Sequence, residues 1–92
     1  MRAVRVVVHG DVQGVGFRYF TRSQAGRLGL MGWVLNRPEG TVEAWAEGSP
    51  EAVEHWLAAL RRGPEGSWVR LVEQSEESPQ LLRGFEVRWA SP

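Results

Sequence analysis

Apolar and polar residues alternate with two different periods along the chain, and the pattern predicts four long strands, a short fifth strand and two helices. Arg2 to His9 is an almost continuous apolar run, which is typical of a strand in the middle of a sheet. Met31 to Arg37 and Thr41 to Glu47 flank a short Pro-Glu-Gly turn, so they predict a hairpin. A fourth strand is predicted for Trp68 to Gln74 and a closing strand for Phe85 to Trp89.

Two other stretches carry apolar residues three or four positions apart, which predicts helices. The first runs from Phe17 to about Leu28, where Gly29 is a suitable stop. The second begins at Ser49, a capping residue followed by proline, and ends at Gly63. We expect its apolar stripe to pack on the sheet, and this stripe consists of Val53, Trp56, Leu57 and Leu60.

The predicted order β-α-β-β-α-β, with a short closing strand, is that of a ferredoxin-like α+β sandwich. In this fold both helices lie on one face of an antiparallel sheet. Right-handed crossovers then place strands one and three in the centre. We expect residues 1–92 to form one domain of this type.

The composition narrows the classes of function. Eleven basic and eleven acidic residues cancel, so the chain lacks the basic excess of a nucleic-acid-binding protein. No apolar run approaches membrane-spanning length, and no signal peptide is visible. Cysteine is absent, which excludes disulfides, thiolate catalysis and cysteine metal sites. We therefore expect a cytoplasmic enzyme or binding domain, with neither nucleic acid nor membrane as a partner.

Five tryptophans raise the alternative of a stacking platform for nucleic-acid bases, because the RNA-recognition module shares this topology. The predicted third strand, Thr41 to Glu47, is acidic and lacks the basic-aromatic signature of that module. The tryptophans are also spread over five different elements. We interpret them as core or sheet-surface packing, at Trp33, Trp45, Trp56, Trp68 and Trp89.

The most distinctive segment joins the first strand to the first helix and reads Gly10-Asp11-Val12-Gln13-Gly14-Val15-Gly16-Phe17-Arg18. Its glycines allow successive backbone N–H groups to point inward, and the helix N-terminus adds partial positive charge. Arg18 adds a planar fork of donors, so the segment predicts a phosphate site. The chain has no lysine for a Walker A loop, and Tyr19 replaces the third glycine of a dinucleotide fingerprint. The alternative is a tight strand-to-helix turn with no ligand.

The single asparagine, Asn36, lies late in the predicted second strand, and the topology can bring it to the glycine loop. A carboxamide both donates and accepts, so Asn36 can hold a water in line with phosphorus. We interpret His9 as a strand-end residue, Asp11 as a support of the turn and His55 as solvent-exposed. No cluster has metal-ligand spacing. A site without acid, base, nucleophile or metal suits a carboxyl-phosphate anhydride, whose carboxylate leaves without protonation.

These residues closely resemble the acylphosphatase family. The family's loop pattern G-x-V-Q-G-V-x-F-R is matched without a departure by Gly10 to Arg18. Its second pattern, a Gly-aromatic-Val-x-Asn followed by Gly-x-Val-Glu, is matched by Gly32 to Asn36 and Gly40 to Glu43. A weaker similarity to the family is found in Phe85 to Trp89. One departure is the tail Ala90-Ser91-Pro92, which continues past the aromatic residue at which some relatives end.

The resemblance implies a small cytoplasmic hydrolase with the ferredoxin-like fold that cleaves acyl phosphates to carboxylate and inorganic phosphate, without metal or cofactor. By the resemblance, Arg18 would bind the phosphate and Asn36 would orient the nucleophilic water. The cradle would be completed by the backbone amides of Gln13, Gly14, Val15 and Gly16. We expect a monomer whose partner is the acyl phosphate substrate, with inorganic phosphate as product and inhibitor.

Two alternatives stay open at this point. The first is a non-catalytic phosphate-binding regulatory module of the same fold, which would need donors but no water-positioning group such as Asn36. The second is a detached version of the acylphosphatase-like domain that begins larger carbamoyl-transfer maturation proteins. Nothing of the remaining domains of those proteins, including their cysteine-rich zinc segments, is present in the 92 residues.

Overall fold

The structure, a computed structural model, describes residues 1–89, and the tail at residues 90–92 lies outside them. The strands and helices follow one another in the predicted order. They are β1 (Arg2–Asp11), α1 (Phe17–Arg27), β2 (Met31–Asn36), β3 (Val42–Gly48), α2 (Pro50–Arg62), β4 (Trp68–Glu77) and β5 (Phe85–Arg88). Two strands continue further than predicted, β1 to Asp11 and β4 to Glu77. The added residues of β1 pair with the start of β4, and those of β4 pair with the start of β1, so the hydrogen bonds of the ladder override the polar composition at both ends.

The sheet has the strand order β4-β1-β3-β2-β5, so β1 and β3 are central as predicted. The four long strands pair antiparallel. The short β5 lies parallel to β2, with Gly32 opposite Phe85 and Leu35 opposite Arg88, and this makes the sheet mixed. The reason is that β4 ends at the same end of the sheet at which β2 begins. A short crossing segment therefore delivers β5 to the start of β2, in the same direction.

The core lies between the helices and one face of the sheet. The predicted stripe of α2 is fully buried, and so are Val4, Val6 and Val8 of β1. Ser49 caps α2 as predicted, because its hydroxyl accepts a hydrogen bond from the backbone N–H of Ala52 at 3.2 Å. The two helices pack side by side on the sheet, and α1 buries Phe17, Thr21 and Ala25. Within residues 1–89, neither helix is long and apolar enough to cross a membrane.

A buried carboxylate secures residues 78–84, the crossing segment between β4 and β5. Glu47 is only 1% exposed. It accepts hydrogen bonds from the backbone N–H of Gln80 at 2.8 Å and of Leu82 at 2.7 Å, and from the Trp45 indole at 3.0 Å. Burial alone raises the pKa of Glu47, but these donors outweigh it and hold the pKa below its ordinary value. Glu47 is therefore ionised at neutral pH and holds the segment that leads into β5.

Candidate active site

The loop between β1 and α1 has the backbone conformation that its glycines predict. Gly14 and Gly16 adopt φ angles of 76° and 77°, in the left-handed region that favours glycine. A Cβ atom at either position would meet nothing within 4 Å, so backbone conformation rather than crowding accounts for the two glycines. Gly16 also caps α1 without a side-chain acceptor. The loop and the first turn of the helix thus offer backbone N–H groups of the kind that bind anions.

Gln13 attaches this loop to the hairpin between β2 and β3. Its side-chain Nε2 donates hydrogen bonds to the carbonyl oxygens of Arg37 at 2.8 Å and Thr41 at 2.9 Å. Val15 is partly buried and packs against the core. Neither residue is among those that line the cavity described next, so the predicted contribution of both is limited to their backbone N–H groups. Gln13 therefore acts as a side-chain tether that holds the loop beside the end of β2.

A cavity of about 100 Å³ lies between the glycine loop, the start of α1 and the end of β2. This volume corresponds to a few water molecules, at roughly 30 Å³ each in the liquid. The structure brings Arg18 and Asn36 to the same cavity from separate elements. The lining residues are Val12, Gly14, Gly16, Phe17, Arg18, Tyr19 and Asn36.

Asn36 carries an unusual acceptor. Its side-chain Oδ1 is buried and has no hydrogen-bond donor among residues 1–89. More than nine in ten buried polar groups in folded proteins are hydrogen-bonded, and leaving one without a partner costs about 1–3 kcal/mol. Asn36 is also one of the residues that line the cavity, so an unsatisfied carboxamide lies at the cavity wall.

The end of β5 holds Arg18 in place. The Arg18 Nη1 donates to the carbonyl oxygen of Arg88 at 3.1 Å, and the guanidinium lies over the Trp89 ring, 4.3 Å from its centroid. This hydrogen bond uses one of the five N–H donors of the guanidinium, so others can serve the cavity. The sequence pattern indicates packing for Trp89 and does not reveal this contact with Arg18. The contact depends on the parallel pairing of β5 with β2, and the aromatic residue ending the closing strand was the available signal.

The other candidate residues lie away from this cavity. His9 is hydrogen-bonded to Glu73 on the neighbouring strand β4, and it lines a different pocket together with Asp11. His55 is exposed on α2, as predicted. In the described part of the chain, no group of three or more His, Asp or Glu side chains could hold a metal ion. The residues that line the cavity include no carboxylate and no imidazole.

Comparisons with known proteins identify the family of the chain. The family model for acylphosphatase matches residues 4–87. The chain is 52% identical over 87 residues to an acylphosphatase of Syntrophotalea carbinolica, covering 94% of this chain and 95% of that protein. The crystal structure of acylphosphatase from Bacillus subtilis superposes with a TM-score of 0.93 at 38% identity, covering 96% of this chain and 99% of that one.

One larger protein is also similar. The structure of HypF from T. kodakarensis superposes with a TM-score of 0.86 at 31% identity. The superposition covers 99% of this chain but only 12% of the HypF chain, so the similarity concerns one part of that protein. The family model, by contrast, covers nearly the whole chain, and the match to the Syntrophotalea carbinolica protein covers 95% of that protein. The chain therefore belongs to the acylphosphatase family.

Proposed function

We propose that this protein hydrolyses acyl phosphates to a carboxylate and inorganic phosphate, with Arg18 and Asn36 as its catalytic residues. One observation carries the proposal. The side chains of Arg18, a planar cationic donor, and Asn36, whose buried oxygen has no partner among residues 1–89, belong to residues that line the same small cavity, beside a loop with two left-handed glycines. A turn without a ligand would require none of this arrangement.

Arg18 and the loop bind the phosphoryl group in this account. The guanidinium forms charge-assisted hydrogen bonds to phosphoryl oxygens, and the backbone N–H groups from Gln13 to Gly16 complete the cradle around the same group. Arg88 and Trp89 hold the guanidinium in position before the substrate arrives. Donors that are already oriented stabilise the charge of the transition state without further reorganisation.

Asn36 positions the attacking water. The Oδ1 atom accepts a hydrogen bond from this water and directs its lone pair at phosphorus, opposite the acyl oxygen. As the new P–O bond forms, the bond to the acyl oxygen breaks and the carboxylate leaves with the electron pair. A carboxylate is stable at neutral pH, so it needs no proton from the protein. The protons of the water pass to the phosphate product and to solvent, and no general acid or base is required of the cavity.

The test is an assay of acetyl phosphate hydrolysis by pure protein in the presence of a chelator, with glycerol phosphate as the matched monoester. We expect acetyl phosphate to be cleaved and glycerol phosphate to be spared, because an alkoxide cannot leave without a proton. Activity that disappears on chelation and returns with a divalent cation would contradict the metal-independent mechanism. A folded protein that binds phosphate but cleaves neither compound would favour the regulatory module.

Three further properties belong to the same proposal. Inorganic phosphate fits the cavity that binds the phosphoryl group, so we expect it to inhibit as the product. We also expect a monomer, which size-exclusion chromatography with light scattering would test against a mass of 10.3 kDa. We expect the protein in the cytoplasm with no nucleic-acid or membrane partner, and cell fractionation would test this location.

A further inference from the structure

A second concave surface adjoins the phosphate cavity. It is an open groove of about 400 Å³ between α1 and β5, which we name the acyl groove. Tyr19 lines both the cavity and the groove. Trp89 lines the groove, and its ring packs on Arg18, which lines the cavity. The groove is lined by Tyr19, Arg22, Phe85, Glu86, Val87 and Trp89.

Two aromatic rings are exposed in this groove. Tyr19 is 55% exposed and Trp89 is 68% exposed, and both are large hydrophobic side chains. Phe85 and Val87 add partly buried apolar surface that is continuous with the core. Exposed apolar groups that cluster in one concave place mark binding surfaces more often than isolated ones do.

The charges in the groove do not favour an ionic ligand. Its two charged side chains, Arg22 and Glu86, have opposite signs, and the Glu86 carboxylate lies 3.7 Å from Arg88. The guanidinium of Arg18 contacts the carbonyl oxygen of Arg88 and the ring of Trp89. The groove therefore combines two exposed aromatic rings with charged side chains whose formal charges cancel.

We propose that the acyl groove binds the acyl group of the substrate and favours acyl phosphates with an apolar, and above all an aromatic, acyl group. The inference rests on the proposed function, because it places the phosphoryl group in the adjoining cavity. An acyl group attached to that phosphoryl group must leave the cavity through its opening. Tyr19 stands where the cavity and the groove share a wall, so a planar acyl group that leaves there contacts its ring.

The test compares kcat/KM for benzoyl phosphate with kcat/KM for acetyl phosphate, which share the same phosphoryl group. An aromatic contact of this kind increases the binding affinity about 3- to 10-fold. We expect Tyr19→Ala to lower the benzoyl-to-acetyl ratio by about this factor, and Tyr19→Phe to retain the ratio of the unmodified protein. Tyr19 is the residue of choice, since replacing Trp89 would also release Arg18.

Trp68→Ala is the matched control. Trp68 is 59% exposed and lines the separate pocket that contains His9, so its loss should leave the ratio unchanged. An unchanged ratio in folded Tyr19→Ala would overturn the inference. The protein could instead prefer succinyl phosphate to benzoyl phosphate and lose this preference in Arg22→Gln. That result would overturn the inference in favour of an anionic acyl group. Failure of the unmodified protein to cleave any of these compounds would contradict the proposed function itself, and the inference with it.

Discussion

Replacing Glu47 by glutamine should destabilise the fold strongly, although the substitution preserves the size and shape of the side chain. In the structure the carboxylate is 1% exposed and accepts hydrogen bonds from two backbone N–H groups and one indole N–H. A glutamine amide has only one acceptor oxygen. If that oxygen accepts from Gln80 and Trp45, the NH2 group of the glutamine takes the place of the second carboxylate oxygen. Two donors, this NH2 group and the backbone N–H of Leu82, then face each other.

The magnitude follows from the hydrogen bonds that are lost. A hydrogen bond to a charged group contributes about 1.5–3 kcal/mol, and an opposed donor pair adds a desolvation cost. The crossing segment can relax partly towards solvent, since Gln80 and Leu81 are exposed. We therefore expect Glu47→Gln to lower the free energy of unfolding by about 2–3 kcal/mol. For a domain of this size, each kcal/mol lowers Tm by about 4–8 °C.

Urea denaturation followed by tryptophan fluorescence would measure this change. Glu65→Gln is the matched control, because Glu65 is exposed and the change of charge is the same; we expect it to change stability by less than about 0.5 kcal/mol. A loss below about 0.5 kcal/mol in Glu47→Gln would refute the account of the crossing segment.

The pH dependence gives an independent check of the same carboxylate. The pKa of Glu47 in the folded state lies below its ordinary value, so its contribution to stability is fully present above that ordinary value. The contribution is lost as the pH falls through the folded pKa, because the folded state must then take up a proton. The difference in stability between the unmodified protein and Glu47→Gln should consequently shrink in acid. A difference that stays constant from neutral pH to about pH 3 would contradict this sign.

Three further predictions concern the loop and the cavity. Arg18→Lys should lower kcat/KM for acetyl phosphate by about 10²-fold or more and weaken inhibition by phosphate, because a point charge cannot replace a bidentate fork; steady-state kinetics would measure both, and near-normal values would count against the role of Arg18. Gly10→Ala should cost about 2–3 kcal/mol in urea denaturation, since its Cβ would lie 2.0 Å from the carbonyl oxygen of Trp68; unchanged stability would contradict that close approach. Inorganic phosphate should raise KM without lowering kcat, and an unchanged rate at saturating phosphate would show that it does not occupy the cavity.

The sequence predicted the parts of the fold that depend on local pattern. The stripe of α2, its Ser49 cap and the central position of β1 follow from periodicity, capping chemistry and crossover handedness, and all are confirmed. The parallel edge formed by β5 could not be predicted in this way. It depends on where the crossing segment lies, and that segment is held by the buried Glu47, whose burial no local pattern revealed.

In the candidate site, too, local sequence indicates some residues, whereas others depend on the tertiary structure. The glycine loop and Arg18 adjoin in sequence, so a motif could identify them together. Asn36 required the topology as well, because β2 and the loop meet only through the sheet. The contact of Trp89 with Arg18 required the actual register of β5. The backbone contribution of Gln13 to the phosphate site stays a prediction, while its side chain tethers the loop to the hairpin, a role that its position in the motif did not indicate.

The most direct test of the central claim is the kinetic split in Asn36→Ala. If Asn36 positions only the attacking water, kcat for acetyl phosphate should fall by about 10²–10⁴-fold, while the inhibition constant of inorganic phosphate changes only a few-fold. Circular dichroism should confirm folding, since the substitution could cost about 1 kcal/mol. Gln80→Ala removes a carboxamide outside the cavity and should leave both constants unchanged. A folded Asn36→Ala variant with near-normal kcat would contradict the account, because the water would then be held by another group or not held at all.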